Sequence, residues 1–186
     1  MNNITTDKKA DVFRVHAEIP IAASPEKVYD TVTELSNSGA WSPECRGGTW
    51  VTGKPRTVGA KFRGDNYRGN SVVAWAPVVR GPWTTEAEVV EAVPGRTFSW
   101  AICDSLGNRQ DSVWSFDVEP AKNGCVLTHR YRLGRLTEGL AKILEPLDEA
   151  ERQRFVVEWN AKLAQDVTAT LERIKAVIEN GDRPRD

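Results

Sequence analysis

The chain contains two histidines, His16 and His129, and the second stands two residues before a tyrosine in the run Leu127-Thr128-His129-Arg130-Tyr131. On an extended strand, residues i and i+2 share a face, so His129 and Tyr131 present themselves together. An imidazole, with an unperturbed pKa of about 6.5, can accept a proton near neutrality, and a phenol beside it can donate a hydrogen bond to a developing oxyanion. Such a pair suits proton removal next to a carbonyl, with dehydration to follow. Glu44, within Trp41-Ser42-Pro43-Glu44-Cys45, is a second candidate acid or base. Each has a structural alternative. His129 could be a hydrogen-bonded core residue. Glu44 could accept N–H groups in a turn or pair with Arg46 or Arg63.

Other chemistries lack their signatures. There is no Gly-x-Ser-x-Gly, no glycine-rich phosphate loop followed by Lys-Ser/Thr, and no His-Glu-x-x-His. Gly64-Asp65-Asn66-Tyr67-Arg68-Gly69 has the wrong glycine spacing for a dinucleotide fingerprint. The three cysteines, Cys45, Cys103 and Cys125, are never at metal-like spacing, and Cys125 with His129 lacks further ligands nearby, so neither a metal nor a cofactor is expected. The thiols read as small buried fillers of a reduced chain. With 25 Lys+Arg against 26 Asp+Glu, the net charge of −1 speaks against a nucleic-acid partner. No apolar run approaches the roughly 18–20 residues of a membrane span, so integral membrane association is not expected. MNNITTDKKADVF lacks the layout of a secretory signal, and a cytoplasmic protein, monomer or homodimer, is the expectation.

The composition holds one oddity: seven tryptophans against one Met, three Tyr and five Phe. Each indole has a large apolar body and an N–H that wants a partner. The elements that must position them follow from periodicity. Residues 1–10 and 182–186 are polar ends around one domain spanning 11–181. Phe13, Val15, Ala17, Ile19 and Ile21 alternate as a first strand. Ser24-Pro25-Glu26 caps a helix from about Pro25 to Leu35. Turn signals then punctuate β-rich runs at about 48–52, 58–66, 71–76, 83–92, 97–103, 111–119 and 125–134. Glu138–Leu144 forms a short helix. Asp148 caps a long one to about Asn180, stopped by Gly181. The fold class is α+β.

Parity sorts the strand residues. Trp83 shares a face with Ala87 and Val89, Trp100 with Phe98, Trp114 with Phe116, and Phe62 lies opposite Lys61 and Arg63, which with Arg130 and Arg132 read as a solvated outer face. On the long helix Phe155, Trp159, Leu163, Val167, Leu171, Ile174 and Ile178 recur at three- and four-residue steps. Glu158 and Lys162 read as an ordinary surface pair. Aromatic residues of sheet and helix thus point at one volume, which is either a solid core or a hollow lined by rings with a few polar groups. For the hollow, the expected wall comprises Trp41, Phe62, Asn66, Trp83, Trp100, Trp114 and Phe116. Phe155, Trp159, Asn160 and Leu163 would come from the helix, and Trp75 from a hairpin lid.

Trp41-Ser42-Pro43-Glu44-Cys45, Gly59-Ala60-Lys61-Phe62-Arg63-Gly64-Asp65-Asn66, Val89-Val90-Glu91-Ala92-Val93-Pro94-Gly95-Arg96-Thr97-Phe98, Trp114-Ser115-Phe116 and Thr170-Leu171-Glu172-Arg173-Ile174-Lys175 together resemble the polyketide cyclase/dehydrase branch of the SRPBCC (START-like) superfamily. The resemblance spans roughly residues 12–180. It implies a helix-grip fold: a curved antiparallel sheet of about seven strands around a long C-terminal helix, with two short helices near the N-terminal end and an internal cavity. It also implies a hydrophobic or aromatic, polyketide- or lipid-like ligand, either cyclised and dehydrated or merely carried. Co-chaperone-like relatives of the fold offer a protein-interaction reading. Residues 70–82 are longer than expected for that family, as a Trp-bearing hairpin lid or a decorated turn.

Overall fold

Period-two burial opens the fold. Strand β1 (Phe13–Ile21) buries Phe13, Val15 and Ile21 and exposes Arg14, His16 and Glu18. The computed structural model describes residues 11–181; the polar ends expected at 1–10 and 182–186 lie outside the described residues. Ser24 caps α1 (Pro25–Val32), its hydroxyl accepting from the Lys27 N–H at 3.3 Å, with proline at the first helical position. The helix stops short of the expected Leu35. Thr33 is fully buried and turns its hydroxyl back to the Tyr29 carbonyl (2.8 Å), and a 3-10 helix, Leu35–Ala40, takes over. Gly39 lets that segment approach the next strand, because a Cβ there would stand 2.6 Å from the Arg46 carbonyl oxygen.

Strands β2 (Cys45–Thr52), β3 (Lys61–Arg68), β4 (Gly81–Val93), β5 (Thr97–Cys103), β6 (Arg109–Ala121) and β7 (Gly124–Leu133) form an antiparallel meander. The seven-stranded sheet has the order β1-β7-β6-β5-β4-β3-β2. Register shifts in the β2–β3, β4–β5 and β5–β6 pairs mark bulges, which bend the sheet. After α2 (Glu138–Leu144), the long α3 (Glu149–Asn180) begins with a capping box. The Glu151 N–H donates to Asp148 Oδ1 (2.9 Å), and the Asp148 N–H donates to Glu151 Oε2 (3.0 Å). Gly181, at φ 66°, ends it in the left-handed conformation that glycine adopts without steric cost. This is the α+β helix-grip architecture.

The apolar stripe of α3 packs in two halves. Phe155, Trp159, Leu163 and Val167 meet Phe13, Val15, Tyr131 and Leu133, while Leu171, Ile174 and Ile178 meet Ile21, Val28, Phe116, Val118 and Leu127. A third cluster, around Tyr29, Leu35, Phe62, Val89 and Phe98, sits between α1 and the middle strands. The core is divided because the bent sheet stands away from the helix between these clusters.

The run 71–76 is not a strand. Arg68 pairs with Gly81, so residues 69–80 form the β3–β4 loop, with Val73 at a positive φ of 40°. The loop is apolar because Ala76 and Val78 are buried against the first half of α3. Its carbonyls converge on one side chain: Arg80 donates to the carbonyl oxygens of Val73 (3.0 Å), Ala76 (2.9 Å) and Val78 (3.2 Å). Strand β3 likewise begins at Lys61 rather than residue 58, and Val58 is exposed.

Candidate functional site

Between sheet and α3 lies a cavity of about 710 Å³. Its sheet wall is built by register. Phe98, Phe116 and His129 stand opposite one another on β5, β6 and β7, and the next inward rung is Trp100, Trp114 and Tyr131. Cross-strand neighbours on one face stand close enough for ring contact. Phe116 and His129 stack at 4.2 Å, Trp114 and Tyr131 at 4.2 Å, and Trp100 lies 5.7 Å from Phe116. Phe62 on β3 and Trp83 on β4 extend the wall; Trp159 and Leu163 face it from α3, and Trp41 closes it from the loop before β2.

His129 is buried, and its Nδ1 lies 2.9 Å from the Ser115 carbonyl oxygen, which makes that nitrogen the N–H donor of a neutral ring. Burial lowers its pKa from 6.5 to about 4, more than the carbonyl contact raises it. The ring is therefore uncharged at neutral pH and a weak proton acceptor. The premise of an unperturbed imidazole base does not hold here. Tyr131 places its hydroxyl 3.2 Å from Ser112 Oγ, and burial pushes the phenol above its usual range.

Glu44 is neither a free acid nor a partner of Arg46 or Arg63. Arg68 donates to both its oxygens, Nε to Oε1 at 2.8 Å and Nη2 to Oε2 at 2.9 Å, and Lys162 Nζ stands 2.7 Å from Oε1. Burial would raise its pKa, but the Arg68 hydrogen bonds and the Lys162 ammonium hold it below the ordinary carboxylate range. Lys162 also reaches Asp166 Oδ2 at 2.6 Å, so four charged groups form one partly buried, formally neutral network along the cavity. Two indoles flank it: the Arg68 guanidinium carbon lies 4.6 Å from the Trp83 ring centroid and 5.1 Å from that of Trp159. The surface pair expected between Glu158 and Lys162 does not form, since Glu158 binds Arg154 (2.7 Å) and the Trp75 indole N–H (2.8 Å).

Most of the sequence-expected wall is brought together: Trp41, Glu44, Phe62, Asn66, Trp83, Trp100, Trp114, Phe116, His129, Tyr131, Trp159 and Leu163 all line the cavity. Three expected residues do not. Trp75 is drawn to the flank of α3 by Glu158, with Arg154 4.5 Å above its ring. Phe155 is fully buried in the solid cluster where the first turns of α3 close on β1 and β7. Asn160 points to solvent, one position past the inward stripe.

Arg68, Lys162 and Asp166 were missed, although their periodicity was available. Phe62, Gly64, Asn66 and Arg68 share strand parity, and Trp159, Lys162, Leu163 and Asp166 follow the i, i+3, i+4, i+7 spacing of one helix face. Residues of the turn after β5 (Asp104, Ser105 and Gly107) and of the start of α2 also line the cavity. There the Ser105 N–H donates to Glu138 Oε2 (2.9 Å), and the Glu138 N–H donates to Gln110 Oε1 (2.7 Å). Of the cysteines, Cys103 and Cys125 are buried, whereas Cys45 is half-buried and lines the cavity. Among the described residues, no group of three His, Cys, Asp or Glu side chains is arranged to hold a metal ion, and no helix is long and apolar enough to cross a membrane.

Solved structures share this architecture. The Polyketide_cyc-like protein of Corynebacterium glutamicum is 23% identical, with a TM-score of 0.57 over 95% of this chain and 99% of that one. The di-domain ARO/CYC BexL of the BE-7585A biosynthetic pathway is 19% identical, with a TM-score of 0.63 over 92% of this chain and 51% of that one. The di-domain ARO/CYC StfQ of the steffimycin pathway is 15% identical, with a TM-score of 0.62 over 91% and 52%. At these identities the likeness is one of fold, and the chain spans about half of each di-domain protein. No curated protein is similar enough in sequence to count as a match. The family profile described as polyketide cyclase / dehydrase and lipid transport matches residues 12–179, and the chain belongs to that family.

Proposed function

We propose that the protein binds a hydrophobic or aromatic small molecule, polyketide- or lipid-like, in the cavity between sheet and α3. The observation that carries this reading is the cavity itself. At about 710 Å³ it falls within the several-hundred-Å³ range of small-molecule sites, and its wall is aromatic with a few polar groups. A filled interior would have favoured the protein-interaction reading instead. The rings supply apolar contact for a flat ligand, worth about 25 cal/mol per Å² removed from water. The neutral His129 offers a hydrogen-bond acceptor at Nε2, which has no protein partner among the described residues, and the Tyr131–Ser112 hydroxyl pair supplies further polar contact. At the charged end, the network presents Arg68 and Lys162 to a carbonyl or carboxylate on the ligand. Membership of the family supports hydrophobic-ligand binding in general. Within this reading, cyclisation or dehydration of the ligand is the finer alternative to simple carriage.

Tryptophan emission tests it, because Trp83, Trp100, Trp114 and Trp159 all line the cavity. Titration with a hydroxylated anthraquinone and, separately, with palmitate should give saturable quenching or a spectral shift with at least one of them, and Trp100→Ala should weaken it. A flat response to both ligands sinks the proposal.

A further inference from the structure

Among the described residues, five carboxylates line the cavity: Glu44, Glu86, Asp104, Glu138 and Asp166. Three are fully engaged. Glu44 is clamped by Arg68 and Lys162, Asp104 accepts the Leu106 and Asn108 N–H groups on one oxygen and the Asn108 amide on the other, and Glu138 binds Lys142 and the Ser105 N–H. Glu86 and Asp166 each keep an oxygen without a partner among the described residues, but the Glu86 side chain is 41% exposed against 24% for Asp166. Asp166 is thus the more sheltered of the two with an oxygen to offer. It sits on α3, one turn beyond Lys162, and α3 is anchored by Val167 and Leu171, which are buried to 1% and 2% exposure. The group is thus held on a well-packed helix and not on a loop.

We propose that Asp166 is a proton-accepting catalytic residue of this cavity, acting on a small aromatic molecule with an acidic C–H bond. The inference rests on the ligand-binding reading above. The charged groups facing Asp166 are Lys162 on its own helix, Glu44 from the loop before β2 and Arg68 from β3. Both cations are shared: Lys162 also binds Glu44, and Arg68 donates to both Glu44 oxygens, so Asp166 has no counter-charge to itself. Desolvation lifts its pKa above the ordinary aspartate value, more than Lys162 lowers it, which makes the carboxylate a better base than one in water. Burial acts on His129 in the opposite sense, lowering its basicity relative to an imidazole in water, to a pKa of about 4. When a C–H proton passes to the free Asp166 oxygen, the C–H electron pair moves into the substrate as an enolate or an eliminated bond. The neighbouring Lys162 and Arg68 then stabilise the negative oxygen that results. No oxidant, reductant or co-reactant is required.

The probe is 5-nitrobenzisoxazole, a flat aromatic whose opening is a single proton abstraction. The base takes the proton from the ring carbon, that electron pair completes the nitrile, and the N–O bond breaks to leave a coloured cyanonitrophenolate. Wild-type protein should accelerate this over buffer, with a rate that rises with pH to a plateau set by a carboxylate. Asp166→Asn should lower it by about tenfold or more, and Asp166→Glu should restore part of the rate. Binding is read separately as tryptophan quenching by 6-nitrobenzotriazole, a flat analogue that cannot react. Quenching without acceleration overturns the catalytic assignment and leaves the binding reading standing. Neither quenching nor acceleration overturns both. An Asp166→Asn rate within twofold of wild type also refutes the assignment. If that variant does not fold, Asp166→Ser and the wild-type profile decide the matter: a serine variant as fast as wild type, or a rate that climbs with hydroxide and never levels, is fatal to it.

Discussion

Burial of His129 makes the stability of the protein depend on pH in a direction and amount that can be worked out. The folded pKa of about 4 lies below the unfolded value of 6.5, so between those values the native state binds fewer protons than the unfolded chain. The stabilisation tied to a neutral His129 is complete above pH 6.5 and is lost as the pH falls through the interval towards 4. Over the whole interval the loss is about 3 kcal/mol, and most of it falls between pH 7 and 4.5. His129→Gln is the perturbation, because an amide does not titrate and can still donate to the Ser115 carbonyl. Urea unfolding followed by tryptophan emission at several pH values from 7.5 to 4.5 gives the stability of both proteins. All other titrating groups, including Glu44 and Asp166, are common to the two and cancel in the difference. The gap between wild type and variant should shift by about 2 kcal/mol across that range, wild type losing more. For a chain of this size that corresponds to roughly 4–8 °C of extra fall in Tm. If the two curves stay parallel within about 0.5 kcal/mol, His129 titrates normally in the folded protein, and the account of a desolvated, neutral ring is wrong.

Glu44→Ala leaves Arg68, with its side chain only 8% exposed, without its bidentate partner, and should cost about 3 kcal/mol in urea unfolding. Adding Arg68→Met should recover much of that loss, whereas a double variant less stable than Glu44→Ala would mean that the ion pair is not the source. Gly124 opens β7 at φ 132°, and a Cβ there would lie 2.1 Å from the Ile21 carbonyl oxygen, so Gly124→Ala should lower Tm by several degrees; an unchanged Tm would show that β1 and the β6–β7 turn are not packed as described. Trp75→Phe removes the indole N–H bound to Glu158 and should make backbone amides of residues 69–80 exchange hydrogen faster, while amides of β5 and β6 keep their protection. Equal exchange in both proteins would remove that contact as the loop's anchor.

Much of this site follows from short-range rules. Strand parity put Trp83, Trp100, Trp114, Phe116, His129 and Tyr131 on one face, and helix spacing put Trp159 and Leu163 opposite them, because side-chain direction is a local consequence of backbone geometry. The same rules covered Arg68, Lys162 and Asp166. Their charges suggested solvent, and only a partner from another element makes burial of such groups tolerable. The run 71–76 misled for a related reason. Its apolar residues are buried by α3 and its carbonyls are bonded by Arg80, so it needs no strand neighbour.

Element order apart from the run 71–76, the capping of α1 and α3, the inward faces of the strands and the family resemblance were determined by the amino-acid sequence alone, since each depends on neighbours a few positions apart. Tertiary structure decided whether the aromatic faces meet or stand apart, which cations hold Glu44, and how far His129 is removed from water. It also turned Trp75 to the helix flank, Phe155 into a closed cluster and Asn160 to solvent. These depend on ångström-scale separations between segments distant in the chain, set by sheet curvature and helix packing together, and no local periodicity encodes them.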